Sequence, residues 1–193
     1  MATWGPTQIA DTNNDCDETG GFVNISGTDA DGDWFGEYTG PYYSTGLRWP
    51  SVPIAAGDTI TSATLDLYIT YGEANTNCRA YGVLEANPGV WTETPDRGPD
   101  DVTVGTVYVA ISPDGTGWKS YDVTTVIQDI CNNTSRVANN ALAIAIKPQT
   151  GVSTGLSSSQ DYGRNASLAA KLTIVYTAAG GTILPMMMQH HGG

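Results

Sequence analysis

The chain has 193 residues, and its 20 acidic against 8 basic side chains give a formal net charge of −12, with 40% hydrophobic and only 15% charged residues. Such an excess of negative charge repels a phosphate backbone and an anionic bilayer alike, which sets nucleic acid and membrane aside as partners. With 23 Gly, 10 Tyr and 5 Trp, the composition fits one domain of short strands joined by many turns.

The first residues, Met1 to Pro6, carry neither a basic nor an apolar signal region, and no apolar run reaches the roughly 18 residues of a membrane span. The expectation is a chain made in the cytoplasm without a signal peptide of its own. From Asp11 to residue 50, turn formers and carboxylates dominate, so short strands between long loops are expected. Asp11, Asn13, Asp15 and Asp17 alternate as oxygen donors, and Asp29, Asp31 and Asp33 cluster around Gly32. Calcium takes six to eight such oxygens. An EF-hand is excluded, because Cys16 stands where the sharp-turn Gly belongs and no Glu arrives at position twelve. Calcium at either cluster would serve stability rather than catalysis, and no other cofactor is called for.

From Thr59 the pattern sharpens. Ala63, Leu65, Leu67, Ile69 and Tyr71 place an apolar residue at every second position, which predicts a strand with one buried face. Similar runs at 79–85, 102–111, 141–147 and 171–176 predict further strands. Between them, Asp122 is positioned to cap a helix whose Val123, Val126, Ile127 and Ile130 fall at i, i+3, i+4 and i+7. The last fourteen residues differ from all that precedes them. After Gly180 and Gly181 comes the apolar stretch Ile183, Leu184, Pro185, Met186, Met187 and Met188, followed by His190 and His191. An exposed stretch of this kind calls for a covering surface, and Met adapts to irregular grooves.

Catalytic machinery is not legible. The only two histidines lie in that tail, no glycine-rich phosphate loop precedes a helix, and nothing in the sequence brings two carboxylates to a shared cleft. Cys16, Cys78 and Cys131 have no CxxC spacing, leaving one disulfide plus one thiol as an open alternative. Trp34, Trp91, Tyr42 and Tyr43 can form an aromatic platform for sugars, although loop or core packing is the commoner use of such residues.

Four passages together resemble a known family, one of them Asn140 to Ile146. The others run from Gly46, Leu47, Arg48 and Trp49 through Ile54 and Gly57 to Ile69, from Gly117 and Trp118 through Asp122 to Ile130, and from Lys171 to Tyr176. The pattern is similar to jelly-roll β-sandwich domains of the DNRLRE and carbohydrate-binding-module type, found in bacterial surface proteins and tailed-phage virion proteins. The resemblance implies an all-β jelly-roll β-sandwich over 1–179 with one short α-helix, followed by an extended C-terminal docking arm at 180–193, and it places Trp49 and Trp118 in the core. It implies no enzyme. The expected role is a virion structural protein, such as a capsid decoration (cement), adaptor or fibre protein. Its partners would be a major capsid or other virion protein and further copies of itself. A carbohydrate-binding or adhesion module is the alternative, with a glycan as partner.

Overall fold

The computed structural model describes residues 1–25, 33–37, 39–93 and 95–180. Asp29, Asp31 and the whole tail stretch from Ile183 to His191 lie outside the described residues, so the structure does not bear on the docking-arm expectation.

The protein is all-β with one short helix, built as a curled antiparallel sheet. Its strands are β1 (Ala2–Gln8), β2 (Asp15–Thr19), β3 (Phe22–Asn24), β4 (Asp33–Glu37), β5 (Tyr42–Trp49), β6 (Thr59–Gly72), β7 (Cys78–Val83), β8 (Thr92–Glu93), β9 (Asp96–Arg97), β10 (Val104–Ile111), β11 (Gly117–Asp122), β12 (Leu142–Pro148), β13 (Leu156–Ser159) and β14 (Lys171–Thr177). The main path of the sheet runs β1-β14-β6-β13-β4-β5-β12-β7-β10, with β11 added on β6, and with β2 on β5 and β3 on β2. A separate two-residue pair joins β8 to β9.

β6 organises the molecule. Ala63, Leu65, Leu67 and Ile69 are buried while the residues between them are partly exposed, as period-two alternation demands, and Ile60 is buried out of step, beyond a register shift at Thr61. Its length lets it pair with β14 over Thr59–Asp66, with β11 over Thr64–Ile69 and with β13 at its far end. The alternation breaks there. Ser158 pairs with Tyr71 and Ser159 with Ile69, which leaves Thr70 as an extra residue, a bulge. The bulge changes the phase, so Tyr71, expected on the buried face, is 42% exposed.

The helix α1 (Thr124–Asn133) buries Val126, Ile127, Ile130 and Cys131 against β6, β7 and β10. Asp122 accepts the Thr124 amide at 2.9 Å, satisfying one of the open N–H groups at the helix start. Two helix side chains then stitch the element to the sheet. Thr124 Oγ accepts from the Ala63 amide at 2.9 Å and Gln128 Oε1 from the Ile60 amide at 2.8 Å. The main core gathers Trp49, Leu65, Leu67, Ile127, Ile144 and Leu172 among others, all fully buried.

Trp118, expected in the core, is 40% exposed on β11, where it meets Tyr68 edge-on at 5.4 Å and lies under Lys171 Nζ at 4.0 Å. Trp91, a platform candidate for which loop or core packing was the commoner expectation, is fully buried. It fits because residue 46 is Gly, and a Cβ there would stand 2.7 Å from the indole. Cys16, Cys78 and Cys131 are all buried and free, so the disulfide alternative is not realised. Among the described residues, no helix is long and apolar enough to cross a membrane.

Candidate cation centre and aromatic groove

β4 and β13 are neighbours, and their register sets a different chemistry on each face. Asp33 pairs with Ser159, Trp34 with Ser158, and Gly36 with Leu156. Successive side chains point to opposite faces, so Asp33 and Ser159 share one side while Trp34, Ser158, Gly36 and Leu156 share the other.

Beside Asp33, the inner face collects two further carboxylates, Asp15 from the start of β2 and Asp161 from the turn after β13. One carboxylate oxygen from each of Asp15, Asp33 and Asp161 lies within 4.8 Å of the others, and all three side chains are buried. β2 brings Asp15 inward through its pairing with β5, where Asp15 stands opposite Leu47. Asp15 Oδ2 accepts the Tyr162 amide at 2.8 Å, and Asp161 Oδ1 accepts the Arg164 amide at 3.3 Å, so the turn after β13 folds around the cluster. Three buried polar atoms are left over. Asp33 Oδ2, Asp15 Oδ1 and Ser159 Oγ have no hydrogen-bond partner among the described residues.

The electrostatics are adverse. Burial, and then the Asp161 charge, push the Asp15 carboxyl up to about 8. Burial raises Asp33 well above the usual carboxylate range, and every charge acting on it, from Asp15, Asp161 and Asp17, raises it further. Burial of an unpaired charge is costly, and like charges in one site compound the cost.

The outer face is a groove of about 360 Å³ lined by Trp34, Tyr43, Tyr71, Glu73 and Leu156. The strand register places small residues between its lining side chains. Ser158 stands between Trp34 on one neighbouring strand and Tyr71 on the other, so the two rings meet edge-on across it, 5.8 Å apart. Gly36 stands between Tyr43 and Leu156 at φ +118, where a Cβ would be 2.3 Å from Gly155 O. Glu73 is fixed at the rim. It accepts from the Tyr71 hydroxyl and from the Leu156 amide, and these bonds hold its carboxyl below the usual range.

The residues singled out from sequence therefore divide. Asp15 and Asp33, one from each acidic loop, converge, and Asp161 completes the cluster without having been foreseen. Asp17 is buried nearby and adds its charge to Asp33. Asp11 instead accepts the Asn13 amide at 3.2 Å in an exposed cap of the short 3-10 turn at Thr12–Asn14, while the Asn13 carbonyl accepts the Trp91 amide at 3.2 Å. Of the aromatic platform, Trp34 and Tyr43 line the groove, and Tyr71 joins them. Tyr42 is exposed outside that lining, and the buried Trp91 has no place in it.

Fold and site together define an all-β, β-sandwich-like protein with a buried acidic centre behind an aromatic groove. No protein-family model matches the sequence, and no curated protein matches it significantly.

Proposed function

We propose that the chain is a non-enzymatic structural protein of a virion, a capsid decoration (cement), adaptor or fibre component. Its sandwich body would sit on the particle and the stretch from Ile183 to His191 would clamp a neighbouring subunit. The observation that carries this reading is how the body ends. β14 is hydrogen-bonded on both sides, to β1 and to β6, and just beyond it Asp58 Oδ1 accepts the Ala179 amide at 2.8 Å. Asp58 is itself tied, since its Oδ2 accepts the Ala55 amide at 2.8 Å and its carbonyl accepts from Gln128 at 3.1 Å. The body therefore ends in a fixed root at Ala179, and in the sequence Ile183 follows four positions later. The mechanism is interfacial, with apolar burial at roughly 25 cal/mol per Å² repeated over many copies in an assembly. Deleting residues 181–193 tests it. The truncated body keeps its melting temperature and loses association with particles or with other copies; undiminished association would refute the arm.

The groove favours a second reading, a carbohydrate-binding or adhesion module. Three aromatic rings with a fixed carboxylate beside them offer a sugar both an apolar face and a hydrogen-bond acceptor. Glycan-array binding that disappears in Trp34→Ala and Tyr43→Ala supports this reading, and a blank array disposes of it.

A further inference from the structure

We propose that Asp15, Asp33 and Asp161, together with Ser159 Oγ, bind one hard divalent cation, calcium in preference to magnesium. The carboxylates alone would not carry this. Two further facts do. Asp33 and Ser159 are each 1% exposed and Asp15 is fully buried, yet Asp33 Oδ2, Asp15 Oδ1 and Ser159 Oγ have no partner among the described residues. Buried polar atoms in folded proteins are nearly always satisfied. Here three unsatisfied oxygens come from residues gathered at one place, and all three can act as metal ligands.

The donor set selects the ion class. It contains oxygen only, with no His, and Cys16, next to Asp15 on β2, belongs instead to the core cluster around Trp91. Carboxylate and hydroxyl oxygens suit hard cations rather than zinc or copper. The spacing fits as well. Oxygens on opposite sides of an ion bonded at about 2.4 Å are separated by about 4.8 Å, and the three carboxylate oxygens lie within 4.8 Å of one another. Magnesium demands octahedral bonds of about 2.0–2.1 Å and sheds its waters reluctantly, so a buried site built from side chains suits calcium better. The four side chains leave about two to four of calcium's usual positions to water or backbone carbonyls.

A bound cation removes the adversity of the site. Two positive charges among three carboxylates add an attraction that opposes the repulsion Asp33 feels from Asp15, Asp161 and Asp17, and the ligands come from three separate places in the chain. Asp15 lies at the start of β2, Asp33 on β4, and Ser159 and Asp161 at the end of β13, so the ion acts as a cross-link. It also sits behind the groove, because Trp34 and Ser158 follow or precede its ligands on the same two strands.

The test uses the full chain stripped with EGTA and dialysed. Native mass spectrometry and calorimetric titration with CaCl2 should show one calcium per chain. At calcium 100-fold above its dissociation constant, the melting temperature should rise by roughly 5–11 °C. Asp33→Asn should abolish both the bound calcium and the shift, and in EGTA it should melt no lower than the wild type, because it removes a buried repulsion. Ser159→Ala, which changes no charge, should weaken calcium binding while leaving the melting temperature in EGTA within a few degrees. The inference is overturned if wild type binds no calcium at millimolar concentration, if magnesium produces the larger shift, or if Asp33→Asn keeps the full calcium response, which would place the ion on the acidic surface instead.

Discussion

Arg136→Met should destabilise the protein by about 2–4 kcal/mol, although it keeps most of the side-chain volume. Arg136 is 2% exposed, and its guanidinium donates to three backbone carbonyls, Ile54 O, Ala141 O and Asn140 O, each at 3.1 Å. It thereby ties the loop after the helix to the loop between β5 and β6. Burial draws its pKa downward, opposed by Cys131 and Asp58. After substitution Asn140 O still accepts the Val52 amide at 3.1 Å, but Ile54 O and Ala141 O lose the guanidinium. An unsatisfied buried acceptor costs about 1–3 kcal/mol, and removing a buried cation returns part of its desolvation cost. Two acceptors less that return give the range stated. Urea unfolding followed by tryptophan fluorescence measures it, with Arg136→Lys as a partner variant that reaches fewer carbonyls and should be intermediate. A loss below about 0.5 kcal/mol, which is within the scatter of ordinary surface substitutions, would show that the two loops hold without the guanidinium.

Further outcomes follow from other sites. Burial lifts Glu18 to about 6, with the Asp100, Asp101 and Asp96 charges raising it and the Asp100 amide lowering it. A folded-state pKa above the unfolded value means stability complete below about 4.5 and lost as pH rises through about 6. That loss is at most about 2 kcal/mol, and Glu18→Gln in saturating calcium should remove it from a denaturation series between pH 4.5 and 7. The cysteines should be unreactive while the protein is folded, since burial pushes Cys78 up to about 12 and Cys131 up to about 11 and thiolate is the reactive form. Ellman's reagent should find no accessible thiol in native protein and all three in guanidinium; prompt native labelling would contradict the packing. Calcium added to stripped protein should change the intrinsic fluorescence, and Trp34→Phe should remove most of that change, because Trp34 follows Asp33 and meets Tyr71. Gly46→Val should prevent stable folding or cost several kcal/mol, since even a Cβ would press on the Trp91 ring; wild-type stability would mean that the indole can move aside.

Much of the fold was legible because its signals are local. The alternation from Ala63 to Ile69 and the helical spacing of Val126, Ile127 and Ile130 both translate directly into buried faces. What failed depends on neighbours. The strand Leu156–Ser159 carries no hydrophobic alternation, since its three serines are buried by β4 and β6 on either side rather than by their own character. Tyr71 continued the apolar pattern by sequence, and only the bulge at Thr70 turned it outward. Trp91 read as a loop residue because the cavity that receives it depends on Gly46, far away in sequence. The acidic centre was half visible, as Asp15 and Asp33 lie in runs of evident oxygen donors. Asp161 stands alone in sequence and joins them only because β13 inserts between β4 and β6.

The most direct test of the account is the state of the native molecule. Sedimentation of material from the producing source, with quantitative mass spectrometry of each fraction, should find this chain in large particles at a fixed, repeated copy number relative to a major shell protein. Removal of residues 181–193 should release it. Recovery of the intact chain solely as a free, small species, with none in the particle fraction, would contradict the proposed role in an assembly.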